Sequence, residues 1–166
     1  MKKIYLMRHA KSSWDNQQLT DFERPLNNRG YRDAPLMGKW LAENNILPEL
    51  IISSPALRAY FTARTVASQI RYPLSKIETN ELIYDADTEN LFEIVNSIKD
   101  KVNSLMLFGH NPALTQFSNY LSDKHIDNIP TCGFVEIDLN ISTWKEVVVD
   151  SGNLVQFIFP KKIIGK

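Results

Sequence analysis

Three short apolar runs, separated by stretches with helical periodicity and each ending abruptly in polar residues, predict an α/β fold with a mostly parallel sheet. The runs are Ile4-Tyr5-Leu6-Met7, Leu50-Ile51-Ile52 and Leu105-Met106-Leu107-Phe108. They are too short for helices and too continuously apolar for strands with one wet face, so they read as strands buried on both sides. Beyond Pro130 the pattern turns to alternation, as antiparallel strands at a sheet edge require. The expected architecture is a three-layer α/β/α sandwich with an antiparallel edge, residues 1–166 forming one domain.

The bulk composition narrows the function classes. At 166 residues, 43% hydrophobic and 23% charged, the chain can bury a core without staples, and its single cysteine, Cys132, rules out an internal disulfide. Cys132 is expected to be a small buried hydrophobe. Lys2 and Lys3 precede an apolar run that Arg8 cuts off too early for a signal peptide, and no stretch approaches a membrane span. A cytoplasmic monomer is expected. Net charge is zero, which gives no support to a nucleic-acid or membrane-surface partner. The zero hides an imbalance: residues 1–71 hold 11 basic and 6 acidic side chains, all seven arginines among them. Arginine suits bidentate contact with phosphate or carboxylate, so an anion site built from the N-terminal part is expected.

In chain order, the first strand is followed by an aperiodic loop from Ser12 to Asn28, which Trp14, Phe22 and Leu26 are expected to pin to the body. Ala34, Met37 and Leu41 mark one face of a helix between Gly30 and Asn45, and Pro35 places its start near Arg32. After the second run, Ser54 as N-cap and Pro55 at the first helical position open a helix with Ala59, Ala63, Val66, Ala67 and Ile70 inward. A minor strand over 77–82 and the acidic loop Tyr84–Glu89 lead to a helix capped by Thr88, with Leu91, Ile94, Val95 and Ile98 on its face. After the third run, Asn111 and Pro112 repeat the cap-and-proline device before a helix with Leu114, Phe117 and Leu121 inward. Phe134–Leu139, Trp144–Val149 and Leu154–Phe159 are expected as antiparallel strands, and the tail from Lys161 as frayed.

Parallel strands joined by helices carry their carboxyl ends to one sheet edge, where ligands of open α/β sheets gather. That edge receives Arg8-His9, then Ser54 with Arg58, then His110. These residues resemble a known family. Arg8-His9-Ala10-Lys11-Ser12 is similar to the Arg-His-Gly signature of the histidine phosphatase superfamily, which includes the phosphoglycerate mutases. Ser53-Ser54-Pro55-Ala56-Leu57-Arg58-Ala59 with Thr62-Ala63 resembles its second motif, and Gly109-His110-Asn111-Pro112 its third. The Ala after His9, the Arg24-Pro25-Leu26 segment with Arg29-Gly30 and the short chain resemble the SixA-type phosphohistidine phosphatases.

The resemblance implies a phosphoglycerate mutase-like fold and a phosphatase that uses neither metal nor cofactor. It makes His9 the nucleophile, with Arg8, Arg58 and His110 around the transferred phosphoryl group and Ser12 among its ligands. The chemistry suits each role: guanidiniums disfavour the imidazolium form of His9, and two arginines with a protonated His110 would stabilise the charge in transfer. The implied substrate is phosphohistidine on a partner protein, with a small phosphorylated molecule as the alternative. Asp15 stands where mutase-type relatives carry a phosphate-binding asparagine, and is expected to point away, towards Lys11, or to take another task. No clear proton donor for a leaving oxygen aligns; Glu81, Asp85 and Asp87 are the candidates, beside Asp15. A phosphate-recognition module without turnover would lack His9 or His110, and both are present. A metal hydrolase is disfavoured by arginine beside the histidines and by the absence of paired-histidine ligand spacing. His125, with no strand before it, has no assigned role.

Overall fold

The structure, a computed structural model, describes residues 1–165. Six strands, β1 (Lys2–Arg8), β2 (Leu50–Ser53), β3 (Glu78–Thr79), β4 (Ser104–Gly109), β5 (Phe134–Leu139) and β6 (Gly152–Ile158), form one sheet in the order β3-β2-β4-β1-β5-β6. The pairings among β1 to β4 are parallel, and β5 and β6 add an antiparallel edge. Alternate residues of the buried strands point to opposite faces. Ile4, Leu6, Leu105 and Leu107 join the cluster under α3 (Thr88–Asn96) and α4 (Ala113–Leu121), while Tyr5, Met7, Met106 and Phe108 join that under α1 (Asn28–Glu43) and α2 (Leu57–Gln69). The sheet is therefore the middle of three layers, as in the phosphoglycerate mutase-like fold. No helix among the described residues is long and apolar enough to cross a membrane.

Several elements differ from expectation, each for a local reason. Helix α1 starts at Asn28, not near Arg32, because the Asn27 side chain accepts from the Gly30 amide at 2.9 Å; Pro35 lies inside the helix. Helix α2 starts at Leu57, and Ser54 is not its N-cap; the Ser54 hydroxyl accepts from the Ala56 amide and turns towards His110 instead. Asp87, rather than Thr88, caps α3 by accepting from the Asn90 amide at 2.8 Å. Pro112 occupies the cap position of α4, and Asn111 Oδ1 accepts from Thr115. The minor strand shrinks to two residues.

Trp144–Val149 is not a strand. Thr143 and Glu146 form a capping box around a 3₁₀ turn, which buries Trp144 with its indole donating to the Val102 carbonyl at 2.7 Å. The tail is ordered over a further helix, α5 (Pro160–Ile164), with Pro160 buried; Lys166 lies outside the described residues.

Gly30 lies where α1 crosses the chain leaving β1. A Cβ there would run into the Lys11 carbonyl oxygen, which accepts from the Asn27 amide at 3.0 Å. Alanine is the better helix former by about 1 kcal/mol, so helix propensity alone predicts that Gly30→Ala stabilises the protein. We expect the opposite, a net loss of about 1–3 kcal/mol in urea unfolding, because backbone rather than a flexible side chain must yield.

Candidate active site

The register of the parallel strands assembles the site. Arg8 pairs with Gly109, and Ser53 with Phe108, so the residues that follow emerge side by side. The His9 amide donates to the Gly109 carbonyl at 3.0 Å and the Ser54 amide to the Phe108 carbonyl at 2.9 Å, extending the ladder past the strand ends. The Ala10 amide donates to Thr62 Oγ1, which donates to the Arg58 carbonyl, tying the strand end to α2. Arg8, His9, Ser12, Arg58 and His110 thus line one cavity of about 250 Å³, with Lys11, Trp14, Arg24, Asn111 and Thr131 completing its wall.

The two imidazoles lie with ring centroids 5.2 Å apart. His9 Nδ1 is 2.7 Å from the Ala10 carbonyl oxygen, which can only accept. Nδ1 therefore carries the proton, and Nε2 keeps a lone pair. Burial, more than the nearby His110, Arg58 and Arg8, pushes the His9 pKa down to about 3. His110 is also neutral at neutral pH, contrary to the sequence expectation of a protonated ring: burial first, then Arg58, lowers it to about 4. Its Nε2 lies 2.8 Å from Ser54 Oγ.

Arg8 Nε, Arg58 Nε and His110 Nδ1 are buried without a hydrogen-bond partner among the described residues. Only Ser118 Oγ, on α4, shares that condition. An unpaired buried polar group costs about 1–3 kcal/mol, and more when charged. Their concentration in one cavity marks a place built for an anion. Arg8 otherwise donates from Nη1 to the Ile129 carbonyl at 3.0 Å, and burial first, then Arg29, lowers its pKa.

Sequence reasoning missed Asp21. Its backbone carbonyl and Oδ2 accept from Arg58 at 2.7 and 3.0 Å, and Oδ1 accepts from Arg24 Nε and Nη2 at 3.2 and 3.1 Å. The Tyr84 hydroxyl donates to Oδ2 at 2.7 Å. Desolvation works to raise the carboxyl; the Tyr84 hydrogen bond and Arg58 outweigh it and hold its pKa at about 2. This polar clamp, with buried Leu26, pins the loop; Trp14 is 68% exposed and stacks on Arg24 of the clamp, and Phe22 packs edge-on against Tyr84. The i, i+3 spacing of Asp21 and Arg24 was the one local signal of it.

Ser12 is buried in the wall and accepts from Arg24 Nη1 at 2.6 Å, leaving its own proton to donate. The four candidate proton donors are not in the cavity wall. Glu81 sits exposed in a 3₁₀ turn, Asp85 occupies an exposed left-handed position, Asp87 caps α3, and Asp15 lines the neighbouring cleft without pairing to Lys11 among the described residues. Cys132 is buried, and its amide donates to both the Arg8 and His9 carbonyls.

Because both histidines titrate below the 6.5 of a free imidazole, the unfolded chain takes up protons on them between pH 6.5 and about 4 that the folded chain does not. Their contribution is complete above pH 6.5 and is lost as pH falls, by at most about 1.4 kcal/mol per pH unit for each. The urea midpoint should therefore drop between pH 7 and 5, and His110→Asn should make that drop shallower.

Comparisons with known proteins identify the family. A model of the histidine phosphatase superfamily (branch 1) matches residues 4–88. An uncharacterised protein of Mycobacterium leprae is 28% identical over 93% of this chain and its own whole length. The phosphohistidine phosphatase SixA of Escherichia coli is 27% identical over 66% of this chain and 68% of that protein. A structure of the protein histidine phosphatase SixA complexed with tungstate superposes with a TM-score of 0.84 at 21% identity, covering 97% of this chain and 99% of that one. A SixA-named protein of Agrobacterium tumefaciens gives 0.80 at 25% identity, over 96% and 98%. Since the family model takes in the first two motifs and just over half of the residues, the chain belongs to the histidine phosphatase superfamily, branch 1.

Proposed function

We propose that this phosphatase works through a phosphohistidine intermediate on His9, without a metal, and that its substrate is phosphohistidine on a partner protein. The observation that carries the first part is the set of three unpaired buried donors, Arg8 Nε, Arg58 Nε and His110 Nδ1, around an imidazole whose Nε2 is unprotonated. Nε2 attacks phosphorus, the leaving group departs in line, and the donors take the phosphoryl oxygens; transfer of this kind rests on positioning and charge stabilisation. Ser54 donates to His110 Nε2 in this mechanism, which places the neutral ring's proton on Nδ1, towards the anion. Water then cleaves the phosphorus–nitrogen bond, releasing phosphate and restoring neutral His9. Asp21 acts through Arg58, holding two of its nitrogens so that Nε is presented. Support comes also from the tungstate in the related structure, an oxyanion of phosphate-like shape. Among the described residues no group of three His, Cys, Asp or Glu side chains comes together to hold a metal ion.

The intermediate is tested by quenching turnover in alkali, where phosphohistidine survives, and mapping the labelled peptide. Label should fall on His9 and vanish in His9→Ala. No label, with single-turnover rates unchanged by that substitution, would refute the covalent route.

Support for the substrate class comes from the cavity wall, among whose lining residues there is no carboxylic acid. An alkoxide needs a proton to leave, and a placed general acid contributes about 10²–10⁴-fold. Imidazole leaving phosphohistidine needs none when the phosphorylated ring reacts in its cationic form, with its other nitrogen protonated, because the ring then departs neutral. The names of the SixA relatives point the same way. We therefore expect kcat/KM for phosphohistidine to exceed that for alkyl phosphates by about 10² or more. Equal values, with the alkyl activity collapsing in Glu81→Gln, Asp85→Asn or Asp87→Asn, would favour a small-molecule phosphomonoesterase.

A further inference from the structure

Trp14 is a costly residue to leave on a surface, and its position is unusually well fixed. It is 68% exposed, yet the Arg24 guanidinium lies over its ring with Cζ 3.5 Å from the centroid. Arg24 is itself only 8% exposed, and it is held by Ser12 Oγ, the Ser13 carbonyl and both contacts to Asp21 Oδ1. The indole is thus braced from behind by a buried cation that cannot swing away. It borders the cavity that holds His9 and Arg58, and also the polar cleft of about 440 Å³ that continues past Lys11 and Asp15. In-line displacement sends the leaving group away from His9 Nε2, through a cavity of whose wall Trp14 is part.

Resting on the function proposed above, we infer that Trp14 is a specificity-determining residue that stacks against the imidazole ring of the substrate phosphohistidine as it leaves. The His9 Nε2 lone pair forms the new phosphorus–nitrogen bond as the substrate's breaks. The substrate ring enters in its cationic form, protonated on its other nitrogen; it keeps that proton and the electron pair of the broken bond, and leaves neutral and flat. A neutral aromatic ring against an indole gains offset-stacking energy beyond its area burial. The leaving group of phosphoramidate, ammonia, has no face to stack and gains nothing from Trp14. A scaffolding role for Trp14 through Arg24 would affect both substrates alike, because Arg24 braces Ser12 and Asp21 whichever group departs.

The test compares kcat/KM for phosphoimidazole and phosphoramidate in the full-length protein. Trp14→Ala should lower the phosphoimidazole value about tenfold and the phosphoramidate value less than about twofold, and Trp14→Phe should recover most of the difference. An equal fall on both substrates, or no fall on either, overturns the inference while leaving the His9 mechanism standing. A wild-type protein that turns over neither substrate removes the parent reading and this inference with it. Because the result is a ratio within one variant, a partly unfolded preparation does not obscure it.

Discussion

The parallel pairing of β1 with β4 is the constraint on which the site depends. One ladder places Arg8 opposite Gly109 and continues as a hydrogen bond from the His9 amide to the Gly109 carbonyl. A slip of one residue would turn one of the two histidines to the other face of the sheet, since side chains alternate with a period of two. The register is protected because both faces are buried: Ile4 and Leu6 belong to one cluster, Tyr5 and Met7 to the other, and all four would be misplaced together. Packing far from the chemistry therefore enforces the spacing of the two imidazoles.

The second constraint is electrostatic. Arg8, Arg24 and Arg58 converge with Lys11 on one small cavity, and burial of like charges is expensive unless something compensates. Asp21 answers two of the guanidiniums and the Tyr84 hydroxyl at once, from a loop whose ends are tied by Ser13 to Pro25 and by Asn27 to Lys11. The charge of the site thereby helps to fold the loop, beside the burial of Leu26. The histidines are kept neutral chiefly by burial, with the arginines adding to it, which leaves the lone pair on His9 Nε2 throughout the neutral range.

Most of the fold was legible because its signals are local: an apolar run that ends in Arg8-His9, another that ends in Ser53-Ser54 and a third in Gly109-His110 each announce a buried strand and its carboxyl end. The failures share a cause. Trp144-Lys145-Glu146-Val147 carries strand-like residues, but the reciprocal bonds of Thr143 and Glu146 turn the backbone, and the buried Trp144 finds its hydrogen-bond partner in the Val102 carbonyl. Asp21 could not be seen for a related reason: its partners Arg58 and Tyr84 lie 37 and 63 residues away, and nothing in its own neighbourhood announces them. Asp87 attracted attention as a carboxylate near the site, and only the amide of Asn90 shows why it is there.

The cavity shares its wall with three neighbouring clefts: Lys11, Ser12 and Trp14 belong also to one, Thr131 to a second and Asn111 to a third. A side chain that lines two hollows cannot be exchanged for the sake of one without reshaping the other. The surface around the site is therefore not free to vary independently of the site itself.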